Sequence, residues 1–296
     1  MCSVSLSVPF IADFVKFKKR GLAYSYTALL FAFCLVLILS IVNLDTDQRI
    51  EKEWFFGFTS VLGFVTAGTM FWFWSDKQEF MDDMIKKKEP VCKFCKDRLT
   101  RVLKSALKNL KRDNQIVFIC ASWFVINSVI FSVFFVNYED VVEQETFTDI
   151  VSPIIVLMLI PSVFYTGLKA DKKSPWGLLM IQYWFLIAFM VIFALQGASS
   201  NHWAEEIPKV IGFAGTATSA INIFMMNMII VSKSVSRECR AFWLGISFAF
   251  GALGAYISLT WCEKLRAAVN YEAVFVLEIF LSLLFIALFY GLAKRE

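Results

Sequence analysis

Eight stretches of about 20 consecutive, mostly apolar residues dominate the chain, at approximately 22–43, 54–74, 116–136, 150–168, 176–197, 208–231, 241–261 and 273–292. At 1.5 Å per residue a helix of that length crosses a hydrocarbon layer about 30 Å thick. The sequence therefore predicts an all-helical polytopic membrane protein with eight transmembrane helices. Composition agrees: 58% of the 296 residues are hydrophobic and 18% charged, against roughly 45–50% and about 25% in soluble domains. The 32 Phe and 9 Trp exceed what one soluble core of this length could hide, whereas lipid accepts them on the outside of every helix. Soluble-enzyme and nucleic-acid-binding readings are excluded as starting points.

Charge placement orients the spans. With the N-terminus inside, 24 of the 29 Lys and Arg fall on the cytoplasmic side, among them Lys16, Lys18, Lys19, Arg20, Lys169, Lys172, Lys173, Lys233, Arg237 and Arg240. The loop 137–149 has five acidic residues and no Lys or Arg, which suits the outside. Both termini are expected in the cytoplasm, with the plasma membrane as the expected location. The apolar stretch 3–12 is too short to span, and it has neither a basic segment ahead of it nor a cleavage site, so a signal peptide is not expected.

The one long hydrophilic segment, 75–115, separates two spans from six. Within it Leu99, Val102, Leu103, Ala106, Leu107 and Leu110 recur at helical spacing between Lys and Arg, which predicts a basic amphipathic helix on the inner leaflet, ahead of a calmodulin-type or partner-binding role. The expected organisation is 1–74 with two spans, 75–115 as a cytoplasmic basic linker, and 116–296 as a six-helix bundle.

Few residues carry chemistry. Cys92 and Cys95 form a CxxC, but zinc needs four ligands and no second Cys/His pair is near. The seven Cys do not form a disulfide framework. His202 is alone in a short outer loop, no catalytic triad can be assembled, and neither an enzyme, a metal nor a cofactor is expected. Glu278 is the charged side chain set well inside a span, where insertion costs at least ~2.5 kcal/mol. It marks either a functional position or a hydrogen-bonded carboxyl facing another helix. Asn127, Ser128, Gln182, Asn222 and Asn227 could line a cavity or make interhelical hydrogen bonds. Gly212, Gly215, Gly245, Gly251 and Gly254 are a close-packing signal.

Several short motifs recur in one order. Asp13 to Arg20 resembles the acidic-x6-Arg motif between the fourth and fifth helices of the organic cation/anion transporter branch of the major facilitator superfamily. Trp54 stands where that family often has a Trp, and Trp74-Ser75-Asp76-Lys77-Gln78-Glu79-Phe80 resembles its Pro-Glu-Ser-Pro-Arg-Trp-Leu motif, with Glu79 in place of Arg. Ala170-Asp171-Lys172-Lys173 is similar to the start of the Asp-Arg-x-Gly-Arg-Arg loop, from which Ser174, Pro175 and Trp176 depart. Lys233 to Arg240 occupies the frame of Glu-x6-Arg, with Lys233 where Glu stands in the family and with Gly245 and Gly254 at the family's offsets. The signature near Arg20 and again near Arg240 fits a fold of two parallel repeats.

On this resemblance the eight spans correspond to helices 5–12 of a twelve-helix transporter. It implies alternating access around a central site, with small organic ions as substrates, Glu278, Asn127, Gln182, Asn222 and Asn227 near the substrate path, and Asp13, Arg20, Asp171 and Arg240 in charge networks at the inner face. Two spans in the first half leave one wall of the cavity open. The expected partners are therefore the lipid bilayer and a second copy or another chain that supplies the missing helical half. The alternative is a non-transporting membrane protein, an orphan chemoreceptor or an accessory subunit.

Overall fold

The computed structural model describes residues 15–29, 100, 104, 115–132, 152–194, 202–235, 237–269 and 271–293. The span expected at 54–74, Cys92, Cys95, Asp13 and, apart from Thr100 and Lys104, the amphipathic helix expected around 99–110 lie outside the described residues. Among these residues every regular element is helical. A 3-10 turn at Phe17–Lys19 leads into α1 (20–29). It is followed by α2 (Gln115–Phe131), α3 (Ser152–Ala170), α4 (Pro175–Ala194), α5 (His202–Ser234), α6 (Arg237–Ala268) and α7 (Tyr271–Ala293).

Apolar residues surround α2, α4 and α7 with almost no segregated polar face. A helix of that kind is stable only when it is enclosed by protein or lipid. Four segments are long and apolar enough to cross a membrane by length and composition: Pro175–Ala194, Ile207–Ser234, Trp243–Cys262 and Ala273–Tyr290. Helices α5 and α6 extend well past the apolar spans expected from sequence, because helical hydrogen bonding continues through their polar ends. His202, expected in a loop, is the first residue of α5.

Helix α5 is the central element, with 89% of its apolar window buried, against 33% for α7. It packs along α4, α3 and α2, while α2 also packs along α6, and α7 closes against α4, α2 and α6. Trp123 of α2 is completely buried at the centre of this arrangement. Its ring centroid lies 4.7 Å from that of Phe224 on α5 and 4.7 Å from that of Phe248 on α6. Large apolar side chains such as Leu157, Tyr256, Trp261 and Phe280 point outward, as expected of a surface solvated by lipid.

Helix α1 docks on α3 and α5. Its Ser25 hydroxyl lies 3.0 Å from the Gly21 carbonyl and reaches across to the Val163 carbonyl of α3 at 3.1 Å, and the Tyr26 and Phe164 rings meet edge to face at 5.2 Å. Gly21 and Gly167 make this approach possible. A Cβ on Gly167 would run into the Ser25 side chain and the Gly21 carbonyl, and one on Gly21 would meet the Gly167 carbonyl and Asp171. Gly167→Ala is therefore expected to push α1 off α3 and lower the stability of the purified protein by about 1–3 kcal/mol. Gly245, whose Cβ position is open, should accept alanine with a gain of up to about 1 kcal/mol. Thermal midpoints in one detergent compare the two.

A candidate charge latch and the buried polar residues

The docked end of α1 carries an ionic cluster in which each charge sits at a helix end of opposite polarity. Helix α1 begins with backbone N–H groups that have no partner within the helix, and Asp171, just past the end of α3, accepts from two of them: Gly21 N at 2.7 Å and Leu22 N at 3.0 Å. The carboxylate thus caps the positive end of α1. Arg20 reaches the opposite pole of α5, where Nη1 donates to the Ser232 carbonyl at 2.7 Å in the last turn. Lys233 does the same for α3, donating from Nζ to the terminal Ala170 carbonyl at 2.7 Å and pairing with Asp171 Oδ1 at 3.5 Å. Phe17 completes the cluster, with the Arg20 guanidinium and the Lys233 ammonium each 5.3 Å from its ring centroid.

Asp171 and Lys233 side chains are only 9% exposed, so the pair is screened less than a surface ion pair would be. Three helices that are distant in sequence are tied at one point. Breaking Asp171 would release two of these ties at once.

Of the inner-face residues anticipated from sequence, Arg20 and Asp171 meet in this cluster. Arg240, at the start of α6, donates to the Val235 carbonyl at 3.3 Å and braces the turn from α5. In the sequence Lys233 stands out as a departure from a motif and not as the partner of Asp171, and nothing there singles out Gly21, Gly167 or Phe17.

The buried polar candidates fall into separate places. Glu278 on α7 is 1% exposed and accepts from Ser128 Oγ of α2 at 2.8 Å. Ser132 and Ser258 flank the same carboxyl group, and Ser258 also donates to the Ser128 carbonyl at 3.0 Å. Oε2 of Glu278 has no hydrogen-bond partner among the described residues. Next to Ser128, Asn127 donates to the Trp123 carbonyl within its own helix at 2.8 Å, and a Cβ on Gly251 of α6 would collide with its amide. These residues form a polar seam between α2, α6 and α7.

Gln182 of α4 donates to Thr166 Oγ1 of α3 at 3.2 Å, and Asn222 of α5 donates to Ser162 Oγ of α3 at 2.6 Å. Both adjoin a cavity of about 940 Å³ between α3, α4 and α5. Asn227 is fully buried on α5, and neither of its amide atoms has a partner among the described residues. Among the described residues no group of three or more His, Cys, Asp or Glu is arranged to hold a metal ion.

A comparison with protein families matches residues 2–259 to the Major Facilitator Superfamily. The chain belongs to the major facilitator superfamily. Members of this superfamily are membrane transporters, so a transporter-type function follows in general terms, and the all-helical bundle fits the family's polytopic plan. The matched region includes α1 to α5 and most of α6, and with them the whole ionic cluster around Asp171. No curated protein matches the chain.

Proposed function

We propose that this major facilitator protein moves small organic ions by alternating access, with the cluster around Asp171 acting as a latch that holds the cytoplasmic end closed. The observation that carries the reading is the placement of three charges at three oppositely polarised helix ends, between α1 of the first helical unit and α3 and α5 of the second. When α1 moves, its two bonds to Asp171 and the Arg20 bond to α5 are lost together, while Lys233 goes on joining α5 to the end of α3. Alternating access needs a contact of that kind.

Lys233 stands where the organic-ion branch has Glu, but it faces the Asp171 carboxylate and preserves an ion pair. We put Glu278, Asn127 and Asn227 along the substrate path, since a carboxyl group in a span is costly without a function. Gln182 lines the α3–α4–α5 cavity and Asn222 donates to Ser162 in its wall, on the other side of α3 from the latch.

The test is uptake of a panel of organic cations and anions into vesicles containing the purified chain. Saturable uptake of at least one ion is expected, and its absence with correctly inserted protein removes the reading. Glu278→Gln should reduce that uptake at least ~10-fold at unchanged protein level, on the scale seen when a positioned polar group is lost. Unchanged uptake and unchanged pH dependence would take Glu278 off the path.

A non-transporting membrane protein is the second reading. It is favoured by the internal hydrogen bonds of Glu278, Asn127, Gln182 and Asn222, each of which already has a partner in the bundle. The same uptake panel separates the two.

A further inference from the structure

The faces of α3 diverge in character. Val163, Phe164, Gly167 and Asp171 face α1, whereas Met158, Ser162, Tyr165, Thr166 and Lys169 line the cavity of about 940 Å³, roughly half a turn away around the helix. The cavity thus opens on the face of α3 opposite the latch, although its basic end stands at the same end of the helix. Its other walls come from α4 and α5.

Its lining is graded along its length. At the basic end stand Lys169, Lys173 and Ser174, beside the N-terminus of α4 at Pro175, whose dipole adds to the positive potential. The Lys169 ammonium lies 5.2 Å from the Tyr165 ring centroid, at the mouth. Farther along α4 the lining is apolar, with Ile181, Phe185 and Phe189. Ile181 and Phe185 are about half exposed, as is Tyr165 across the mouth, so the opening lies on the lipid-facing side. Inside, Thr218 of α5 lines the cavity with a buried hydroxyl that has no partner among the described residues.

We infer that this groove holds an acidic phospholipid of the leaflet at the basic end, its phosphate at Lys169 and Lys173 and an acyl chain along Ile181, Phe185 and Phe189. A soluble anion would leave the apolar length unfilled, and a zwitterionic lipid would bring its own cation beside the two ammonium groups, so that only an acidic headgroup adds net negative charge there. A basic pocket between helices on the cytoplasmic side is the setting in which acidic headgroups are recognised. Thr218 and Gln182 supply polar atoms beside the part of the lipid that enters between α3 and α5. This occupant does not depend on whether the protein transports.

The test counts lipids retained by the delipidated full-length chain in detergent, by native mass spectrometry, during titration with phosphatidylglycerol or with phosphatidylcholine of the same acyl chains. Two lysines facing a headgroup of net negative charge, at about 1 kcal/mol each, predict a preference for phosphatidylglycerol of about 30-fold at one site. Lys169→Ala with Lys173→Ala should abolish the preference. Gly177→Phe should lower retention of phosphatidylglycerol, because Gly177 lines the groove and its Cβ position is open, so the ring fills the groove without a clash. Lys264→Ala, at an exposed position on the far end of α6, should change nothing, and millimolar inorganic phosphate should not displace the lipid. Equal retention of the two lipids by the wild-type chain overturns the proposal. So does a preference that survives in both groove variants, or displacement by phosphate, which would indicate a soluble-anion site.

Discussion

Replacing Asp171 with alanine should shift the α1–α3 interface from closed toward open by roughly 30-fold. The carboxylate accepts two backbone hydrogen bonds from the first turn of α1 and pairs with Lys233. Hydrogen bonds to a charged group contribute about 1.5–3 kcal/mol each, though less than additively when they share one acceptor. The Asp171–Lys233 pair, largely shielded from solvent at 3.5 Å, adds about 1 kcal/mol, the upper end for exposed pairs. Part of the loss is regained when water reaches the freed N–H groups, which leaves about 2 kcal/mol, or a factor near 30 in the opening equilibrium. Ser25, fully buried between α1, Val163 and Met225, is the reporter. Ser25→Cys in a background without the seven native cysteines should react slowly with a maleimide, and Asp171→Ala should raise that rate by the same factor. An unchanged rate would mean that the cluster does not hold α1 in place.

Trp123→Ala is the substitution expected to cost most stability, about 3–5 kcal/mol. The indole is enclosed by α2, α5 and α6, in contact with the Phe224 and Phe248 rings, and its removal would leave a void that rigid neighbouring helices cannot close. Aromatic contacts add about 0.5–1.5 kcal/mol each to the area term. The predicted result is a large fall in the thermal midpoint of the purified protein and reduced accumulation in the membrane. Trp123→Phe should recover most of both. Trp261→Ala, at an exposed position on α6, should have little effect, and similar losses at 123 and 261 would contradict the packing described for α2.

The helices from 116 onward were legible because a long apolar run is stable in lipid only as a helix, and four of the six are long and apolar enough to cross a membrane. Their ends were not, since hydropathy falls where the apolar run stops while α5 and α6 continue as helices through their polar ends. Asp171 could be read from its motif, but its partners could not. The residues it ties, Gly21, Leu22 and Lys233, are brought to it by the crossing of α1 over α3 and α5, and no local pattern encodes that crossing. Lys233 in particular reads as a loss when set against the family's Glu, and only its position opposite a carboxylate shows what it contributes. The glycines repeat the lesson. Gly251 and Gly254 were recognisable from their spacing and do meet Asn127 and the Phe124 backbone, whereas the pair that admits α1, Gly21 and Gly167, is isolated in sequence. Trp123 was hidden by abundance, because in a chain with 9 Trp nothing local distinguishes the one at the centre.

Alternating access in this protein requires the latch to open during transport. The direct measurement is the maleimide labelling rate of Ser25→Cys in vesicles, followed while an organic ion from the panel is taken up. The rate should rise with the concentration of that ion and saturate in parallel with uptake, because each cycle exposes the α1–α3 interface. A labelling rate that stays constant while the ion is accumulated, or a panel in which no ion is taken up, would contradict it.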